Sequence, residues 1–173
     1  MKIKFLMNLG LVVIMALVVS SCLDDDNEID IQTEREEMIL LNNYLQNLQS
    51  QDFDIDTTDL GVYYITIEEG EEDGEYPETG DTLTVGYSGY FIDGSLFDAS
   101  NLHSPDGEYQ FVLGVDQMIP GWNDGVKQVR EGGKIQFIVP SELAYGSEGF
   151  GIIGPNQTLV FVVKLIELNQ SEE

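Results

Sequence analysis

The stretch GSLFDAS, residues 94–100, sets the aromatic Phe97 directly before the carboxylate of Asp98. It follows YFIDG, a strand-like run that ends in a turn. Because successive side chains of a strand point to opposite faces, the pair would be a core ring beside a surface acid, unless both line the rim of one pocket. In the second case the site would combine an apolar wall with a carboxylate.

Covalent catalysis has little support in the sequence. A nucleophile elbow and a P-loop are both absent. His103, the single histidine, lies in ASNLHSPDGE, which we interpret as a loop with His103 facing solvent. One loop histidine gives no convincing Ser/His/Asp set. Cys22 is the single cysteine, so no internal disulfide can form, and with the distant His103 it makes a poor metal-ligand set.

The charge of the chain excludes several classes of partner. Its 173 residues carry 7 basic and 32 acidic side chains, a formal net charge of −25. Nucleic acid and anionic lipid surfaces both need lysine and arginine partners, so neither is expected to bind. We interpret the acidity as a source of solubility and mutual repulsion rather than as a dedicated site for a cationic partner. The 42% hydrophobic content is ordinary for a globular domain.

The N-terminus has the pattern of a targeting segment. Lys2 and Lys4 precede an uncharged run over residues 5–19 and the small residues Ser20 and Ser21. This is typical of a secretory signal, although the run is also long enough to suggest a transmembrane helix. VVSSC resembles the bacterial lipobox, which favours a signal peptide over residues 1–21 and lipid on Cys22. We therefore expect a lipid anchor in the bacterial cell envelope, with the outer membrane favoured and its periplasmic or surface face left open.

An acidic tether and a helix should follow. Residues 22–32 read as a hydrated spacer, which also resembles the acidic signals that send some lipoproteins to the cell surface. Residues 33–60 read as a helix, Thr33 to Gln49, and a linker. TERE has the form of a capping box with Thr33 at the N-cap. An apolar stripe then predicts packing on the following domain in preference to a second copy of the helix, and its members are Met38, Leu41, Tyr44, Leu45 and Leu48.

Period-two alternation dominates residues 61–170 and predicts strands. Leu83, Val85, Tyr87 and Phe91 share one face, and Asp93–Gly94 is a hairpin signal. TLVFVVKLIEL is apolar on both faces, which is typical of a central strand. One short helix should start at Pro120 and end at Gly132–Gly133. The expected class is α+β, an antiparallel sheet wrapped around one short helix, with an additional N-terminal helix.

Aromatic and glycine motifs then occur in a specific order. They are GYSG, GSLFDAS, FVLG, QMIPGW, AYG and GIIGPNQTLVF. In this order they resemble the FKBP family of peptidyl-prolyl cis-trans isomerases, here in a lipoprotein form, over about residues 61–168. The resemblance implies that Trp122 forms the floor of a proline-binding pocket. Core packing remains the preferred interpretation for Phe91, Phe111 and Phe137.

The resemblance assigns further roles residue by residue. Tyr87, Tyr109 and Phe161 match the aromatic walls, and Phe97 and Asp98 match the pair at the rim, with Asp98 held by a hydrogen bond from the Tyr87 hydroxyl. The remaining matches are Met118 and Ile119 before the helix, the Ile119 N–H as a donor to a substrate carbonyl, the Tyr145 hydroxyl as a second donor, and Ile153 as an aliphatic wall. Of these, Asp98, Tyr145 and Ile119 would act in catalysis.

The implied activity is peptidyl-prolyl isomerisation that assists the folding of exported proteins. Its partners would be proline-containing polypeptides, and macrolide inhibitors of the family are candidate ligands; no cofactor or metal is implied. The loop after Phe97 is longer than the family pattern, and the loop around Phe150 is shorter, which affects substrate preference. Two alternatives stay open: a module that binds proline segments as a chaperone or scaffold, and a purely structural surface lipoprotein.

Overall fold

The computed structural model describes the backbone of residues 26–171 and the side chains of residues 33–171. The predicted signal peptide and Cys22 lie outside the described residues. Within that part of the chain, no helix has both the length and the apolar character that crossing a membrane requires.

The described chain contains two α-helices and seven strands. In order they are α1 (Asp26–Ser50), β1 (Asp56–Thr57), β2 (Tyr63–Glu68), β3 (Thr82–Phe91), β4 (Leu96–Ala99), β5 (Tyr109–Val112), α2 (Pro120–Gly125), β6 (Lys134–Val139) and β7 (Leu159–Asn169). Single-turn 3₁₀ helices follow β4 (Ser100–Leu102), α2 (Val126–Gln128) and β6 (Ser141–Leu143).

The strands form one antiparallel sheet in the order β1-β2-β6-β7-β3-β4, with β5 also paired to β3. β7 lies at the centre, where Phe161 is opposite Phe137 on β6 and opposite Gly89 on β3. β5 pairs with residues 82–85 of β3, and β4 pairs with residues 88–90. The predicted α+β class is confirmed, and so is the central position of β7.

The two faces of the sheet support two separate clusters. The inner face carries the main core, in which Leu83, Phe137 and Phe161 pack against Trp122 and Val126 from the segment around α2. The outer face carries Ile65, Ile138 and Val160, which pack against α1. Since neighbouring residues such as Val160 and Phe161 enter different clusters, alternation along each strand divides the sheet into a site-bearing face and a helix-covered face.

Helix α1 packs on the outer face, as the sequence predicts. Leu41, Tyr44, Leu45 and Leu48 contact the cluster there. Met38 was placed on the same stripe, but 63% of its surface is exposed, so that assignment is wrong. The contacts of the stripe with this cluster begin at Leu41.

Both helices differ from the prediction at one end. α1 begins at Asp26, so Thr33 lies inside the helix and is not its N-cap. The capping box is a local signal, and the helix continues upstream because no proline or glycine interrupts residues 26–32. α2 ends at Gly125 and passes into a 3₁₀ turn, so Gly132–Gly133 is not its C-cap. Pro120 does occupy the first turn of α2, with Ile119 as N-cap.

A single carboxylate ties α1 to the loop that follows β6. Glu37 Oε1 accepts hydrogen bonds from the Ser141 N–H (2.7 Å) and from the Thr158 hydroxyl (2.7 Å). Its Oε2 accepts from the Ser141 hydroxyl (2.5 Å). Ser141 and Thr158 are both buried, so Glu37 is the acceptor that satisfies their donors.

Replacing Glu37 by alanine should lower the free energy of unfolding by about 2–3 kcal/mol, because buried donors would be left without an acceptor. The measurement is urea unfolding of the chain. Glu36→Ala is the matched control, since Glu36 is an exposed glutamate on the same helix and the substitution removes the same charge. Equal losses in the two variants would show that Glu37 acts only through helix propensity or net charge.

Candidate functional site

A cavity of about 720 Å³ opens on the inner face, between the sheet and α2. Its size is within the range of pockets that take small ligands or short peptide segments. The lining residues are Tyr87, Phe97, Asp98, His103, Tyr109, Gln117, Met118, Ile119, Pro120, Trp122, Ala144, Tyr145, Phe150 and Phe161. None of the described side chains of α1, residues 33–50, is among them.

A β-bulge brings Phe97 and Asp98 into the same cavity. On β4, Asp98 pairs with Gly89 and Leu96 pairs with Tyr90, so Phe97 is the extra residue. A bulge breaks the strict alternation of a strand and re-aims a side chain. Both members of the pair therefore line the cavity, and of the two arrangements that the sequence left open, the structure has the shared rim.

Gly89 makes room for the Phe97 ring. A Cβ at this position would come within 2.6 Å of Phe97 Cζ and 3.1 Å of Phe161 Cε1. The two rings meet edge to face there, with centroids 5.7 Å apart. Glycine at position 89 is thus a steric requirement of the aromatic wall.

Trp122 forms the floor of the cavity. Its ring centroid lies 5.2 Å from those of Tyr87 and Phe161, and both contacts are edge to face. The residue is 5% exposed, yet its Nε1 has no hydrogen-bond partner among the described residues. Buried polar groups are nearly always paired, so an unpaired indole N–H beside a cavity is typical of a binding site rather than of plain core.

Asp98 is held at the rim by three donors. The Tyr87 hydroxyl donates to Oδ2 (2.8 Å), as expected, and the Ala99 N–H donates to Oδ1 (2.9 Å). His103 Nε2 lies 2.6 Å from the same Oδ1. Burial by itself raises the pKa of the Asp98 carboxyl, but the bonds from His103 and Tyr87 outweigh it, and the pKa falls below its ordinary value. Asp98 is therefore ionised at neutral pH.

The two tyrosines nearest this carboxylate are neutral at the same pH. Burial, followed by the interaction with Asp98, raises the pKa of Tyr87 well above that of a free phenol. Burial and the charge of Asp98 also raise the pKa of Tyr145. Both groups thus keep the hydroxyl proton that a donor needs.

Tyr145 lies on the loop after β6, opposite the rim formed by Asp98. Its ring stacks on Phe150, with centroids 5.4 Å apart and planes 14° apart. A short reversal supports this contact, since Phe150 and Ile153 exchange two backbone hydrogen bonds of 2.8 and 2.9 Å. The Tyr145 hydroxyl has no hydrogen-bond partner within the described part of the chain, so it is available to a ligand.

The backbone N–H of Ile119 is a second free donor. Ile119 is the N-cap of α2, and its carbonyl accepts from the N–H groups of Trp122 (3.0 Å) and Asn123 (3.3 Å). Its own N–H makes no such bond to any described residue. Together with the unpaired indole N–H of Trp122, the cavity therefore presents three donors that are free of any described partner.

Nine of the ten residues that the sequence singled out for the pocket line the cavity; the exception is Ile153. Ile153 is buried in the main core and does not reach the cavity wall. His103 faces solvent as expected, but it also lines the cavity and bonds Asp98, which the sequence did not predict. Gln117, Pro120, Ala144 and Phe150 were not singled out; the first three adjoin motif residues, which is the signal that could have found them.

The arrangement is suited to binding rather than to covalent chemistry. Among the described residues, no group of three or more histidine, cysteine, aspartate or glutamate side chains is placed to hold a metal ion. The cavity offers apolar rings, three free donors and one fixed carboxylate. Such a site can hold an apolar ring and hydrogen-bond the carbonyl groups beside it.

The sequence of this chain matches a known protein family. Residues 73–166 match the profile of a family described as FKBP-type peptidyl-prolyl cis-trans isomerase. A probable FKBP-type peptidyl-prolyl cis-trans isomerase FkpA of Neisseria meningitidis is 44% identical over 119 residues, which cover 68% of this chain and 42% of the relative. FK506-binding protein 1A of Emericella nidulans is 39% identical over 112 residues, which cover 64% of this chain and 100% of the relative.

A solved structure from the same family also matches the fold of this chain. The crystal structure of FkpA from Escherichia coli matches with a TM-score of 0.65 and 33% identity, over 85% of this chain and 67% of that one. The chain spans about two fifths of the full length of the bacterial FkpA sequences that it matches.

Proposed function

The chain belongs to the FKBP-type peptidyl-prolyl cis-trans isomerases, and from that membership we propose that it accelerates the isomerisation of prolyl peptide bonds in exported polypeptides. The observation that carries the proposal is the cavity itself. It joins an indole floor at Trp122 to an ionised Asp98 and to the two free donors at Ile119 and Tyr145.

The reaction needs no bond to break. Rotation about a prolyl amide is slow because resonance gives the C–N bond partial double-bond character, with a barrier of roughly 18–20 kcal/mol. The twisted amide is less polar than the planar one, so an apolar cavity binds it in preference. Better binding of the twisted form than of the planar form is what lowers the barrier.

The chain's own groups have distinct roles in this proposal. The prolyl ring lies on Trp122 between the walls formed by Tyr87 and Phe161, in a region from which water is excluded. The Ile119 N–H and the Tyr145 hydroxyl donate to carbonyl groups that flank the ring, and desolvation strengthens both bonds. A rate increase of about 10³ corresponds to about 4 kcal/mol, which a few such interactions can supply.

A second function, the binding of proline segments with little turnover, has one observation in its favour. Phe150 and Ile152, on the loop that carries Tyr145, are 70% and 74% exposed. Exposed apolar residues beside a cavity are typical of surfaces that bind another chain. This function would make the protein a chaperone or scaffold for segments that the cavity holds.

Macrolides directed at the family are further proposed ligands. The fungal relative is named for FK506 binding, and it is matched over its whole length. The apolar floor at Trp122 would accept the ring of such a compound in place of proline.

We also propose that the mature protein is a lipoprotein. The lipobox-like VVSSC, which ends at Cys22, supports lipid on that cysteine after removal of residues 1–21. Two or more acyl chains would give stable anchoring, whereas one gives marginal binding. We place the anchor in the bacterial cell envelope, with the outer membrane favoured. Metabolic labelling with a palmitate analogue, lost in Cys22→Ser, tests this.

The proposed activity is tested with the full chain in a non-ionic detergent and a panel of Xaa-Pro peptides. We expect the protein to accelerate isomerisation. We expect kcat/KM to fall 10- to 100-fold in Asp98→Val, because valine is similar in shape to aspartate but has neither the charge nor the hydrogen-bond acceptors. Asp54→Val is the matched control, since Asp54 is an exposed aspartate that does not line the cavity. No acceleration of any peptide by a well-folded chain would leave the binding module as the better account.

A further inference from the structure

Among the described residues that line the cavity, His103 is the one side chain that can carry a positive charge. The lining residues include no lysine or arginine, and the chain has a single histidine. Its side chain is 56% exposed, so it lies at the mouth of the cavity rather than in the core. Nε2 is 2.6 Å from Asp98 Oδ1, and the Asp98 side chain is 34% exposed. A charge on His103 would therefore interact electrostatically with any substrate residue that binds beside the prolyl ring.

The loop that carries His103 is well anchored. The buried Ser100 hydroxyl donates to the Gly107 carbonyl (2.6 Å) and accepts from the Tyr87 N–H (3.0 Å). The His103 N–H donates to the Ser100 carbonyl (3.0 Å) and closes the 3₁₀ turn. These bonds fix the backbone at position 103, so the imidazole contact with Asp98 follows from an ordered loop.

Several titratable groups surround His103. From β4 it meets Asp98, whose pKa lies below its ordinary value because hydrogen bonds outweigh the effect of burial. The phenols in the cavity are Tyr109 from β5, Tyr87 from β3 and Tyr145 from the loop after β6, and burial raises the pKa of the last two. On its own loop, Asp106 accepts hydrogen bonds from Ser104 and from the Glu108 N–H.

We propose that His103 determines, as a function of pH, which charged residues are accepted next to the proline. With a neutral imidazole, Asp98 leaves a net negative charge at the mouth, which favours Lys beside the proline over Glu. A protonated imidazole, 2.6 Å from the Asp98 carboxylate, neutralises its charge, so this preference is lost once the imidazole takes up a proton. The inference rests on the proposed isomerase function, and it adds a substrate preference to it.

The sign and size of the effect follow from one unit of charge. Peptides with Glu or Lys beside the proline keep their own charge between pH 5.5 and 8. The ratio of kcat/KM for the Glu peptide to kcat/KM for the Lys peptide should rise roughly three- to tenfold from pH 8 to pH 5.5. The overall acidity of the chain also favours Lys peptides, but it contributes no such pH dependence.

The experiment measures this ratio with the full chain in non-ionic detergent at low ionic strength. One peptide series varies the residue before the proline among Glu, Leu and Lys, and a second series varies the residue after it. Using a ratio cancels any general loss of activity in a variant. The Leu peptide reports the activity without a substrate charge.

Two variants isolate the charge of His103 from its contact with Asp98. His103→Arg carries a permanent cation, so its ratio should stay near the low-pH value of the natural chain at every pH. His103→Gln is a neutral donor, so its ratio should stay near the high-pH value. A purely structural role would lower activity with all peptides alike and would leave the pH dependence of the ratio in place.

The outcomes separate this inference from the proposed function. Turnover with a ratio that does not change with pH in either series would overturn the role of His103 and leave the isomerase intact. The same holds if the ratio of His103→Gln still rises at low pH. Absence of turnover with every peptide would overturn both.

Discussion

Replacing Trp122 by leucine should lower kcat/KM for Xaa-Pro peptides by at least about tenfold and the free energy of unfolding by about 2–3 kcal/mol. The indole is the floor of the cavity and meets the rings of Tyr87, Phe111, Phe137 and Phe161 at centroid distances between 5.2 and 5.9 Å. Leucine fills part of that volume but cannot offer a flat surface to the prolyl ring. The measurements are the isomerisation assay and urea unfolding of the same preparation.

Phe111→Leu is the control for this variant. Phe111 is buried in the same cluster and contacts Trp122, but it does not line the cavity. We expect it to lose stability by about 1–2 kcal/mol while it keeps most of its activity. If the two variants lost activity in proportion to their loss of stability, Trp122 would be an ordinary core residue and the cavity would not be the site of the reaction.

The sheet could be predicted because its pattern is locally complete. Ile135, Phe137 and Val139 occupy alternate positions and are fully buried in the main core, while Ile138 is buried in the cluster against α1. The central strand β7 is apolar on both faces because its inner face meets the main core while Val160 meets α1. A strand that is buried on both faces has apolar residues at consecutive positions. The assignment of the central strand depends on that pattern alone.

The orientation of Phe97 could not be predicted from alternation. The bulge in β4 adds one residue opposite Gly89 and Tyr90, and the pairing of two strands determines it. Gly89 is the one residue in the sequence that points to this arrangement, because a Cβ there would lie 2.6 Å from Phe97 Cζ. A glycine within an apolar strand can indicate a bulge, but it does not say which residue on the partner strand is the extra one.

The contact between His103 and Asp98 could not be predicted for a different reason. The loop of His103 is polar and the residue is more than half exposed, so the expectation of a solvent-facing side chain is correct for the loop as a whole. The contact with Asp98 depends on the 3₁₀ turn over Ser100–Leu102, which reverses the chain after β4. Five residues separate the two side chains, and composition alone does not reveal that the turn closes that distance.

The largest loss of stability that we expect from a single added methyl group is at Gly121. A Cβ there would come within 2.2 Å of Val139 Cγ1 and 3.2 Å of the Leu143 carbonyl oxygen. Val139 is fully buried on β6, so it cannot move aside freely. Gly121→Ala must instead push α2 away from β6 and from the loop that leads to Tyr145. We expect it to lower the free energy of unfolding by about 3 kcal/mol.

The same displacement should reduce activity, because Gly121 lies between the Ile119 donor and Trp122. Alanine normally stabilises a helix relative to glycine by about 1 kcal/mol, so a loss can come only from the close contact. Gly154→Ala is the matched control, since its Cβ would meet only Gln157 Cγ, at 3.8 Å. Urea unfolding and the peptide assay should show both losses in Gly121→Ala and neither in Gly154→Ala. A Gly121→Ala chain with unchanged stability would mean that α2 can shift on the sheet, and that its distance from β6 does not set the geometry of the cavity.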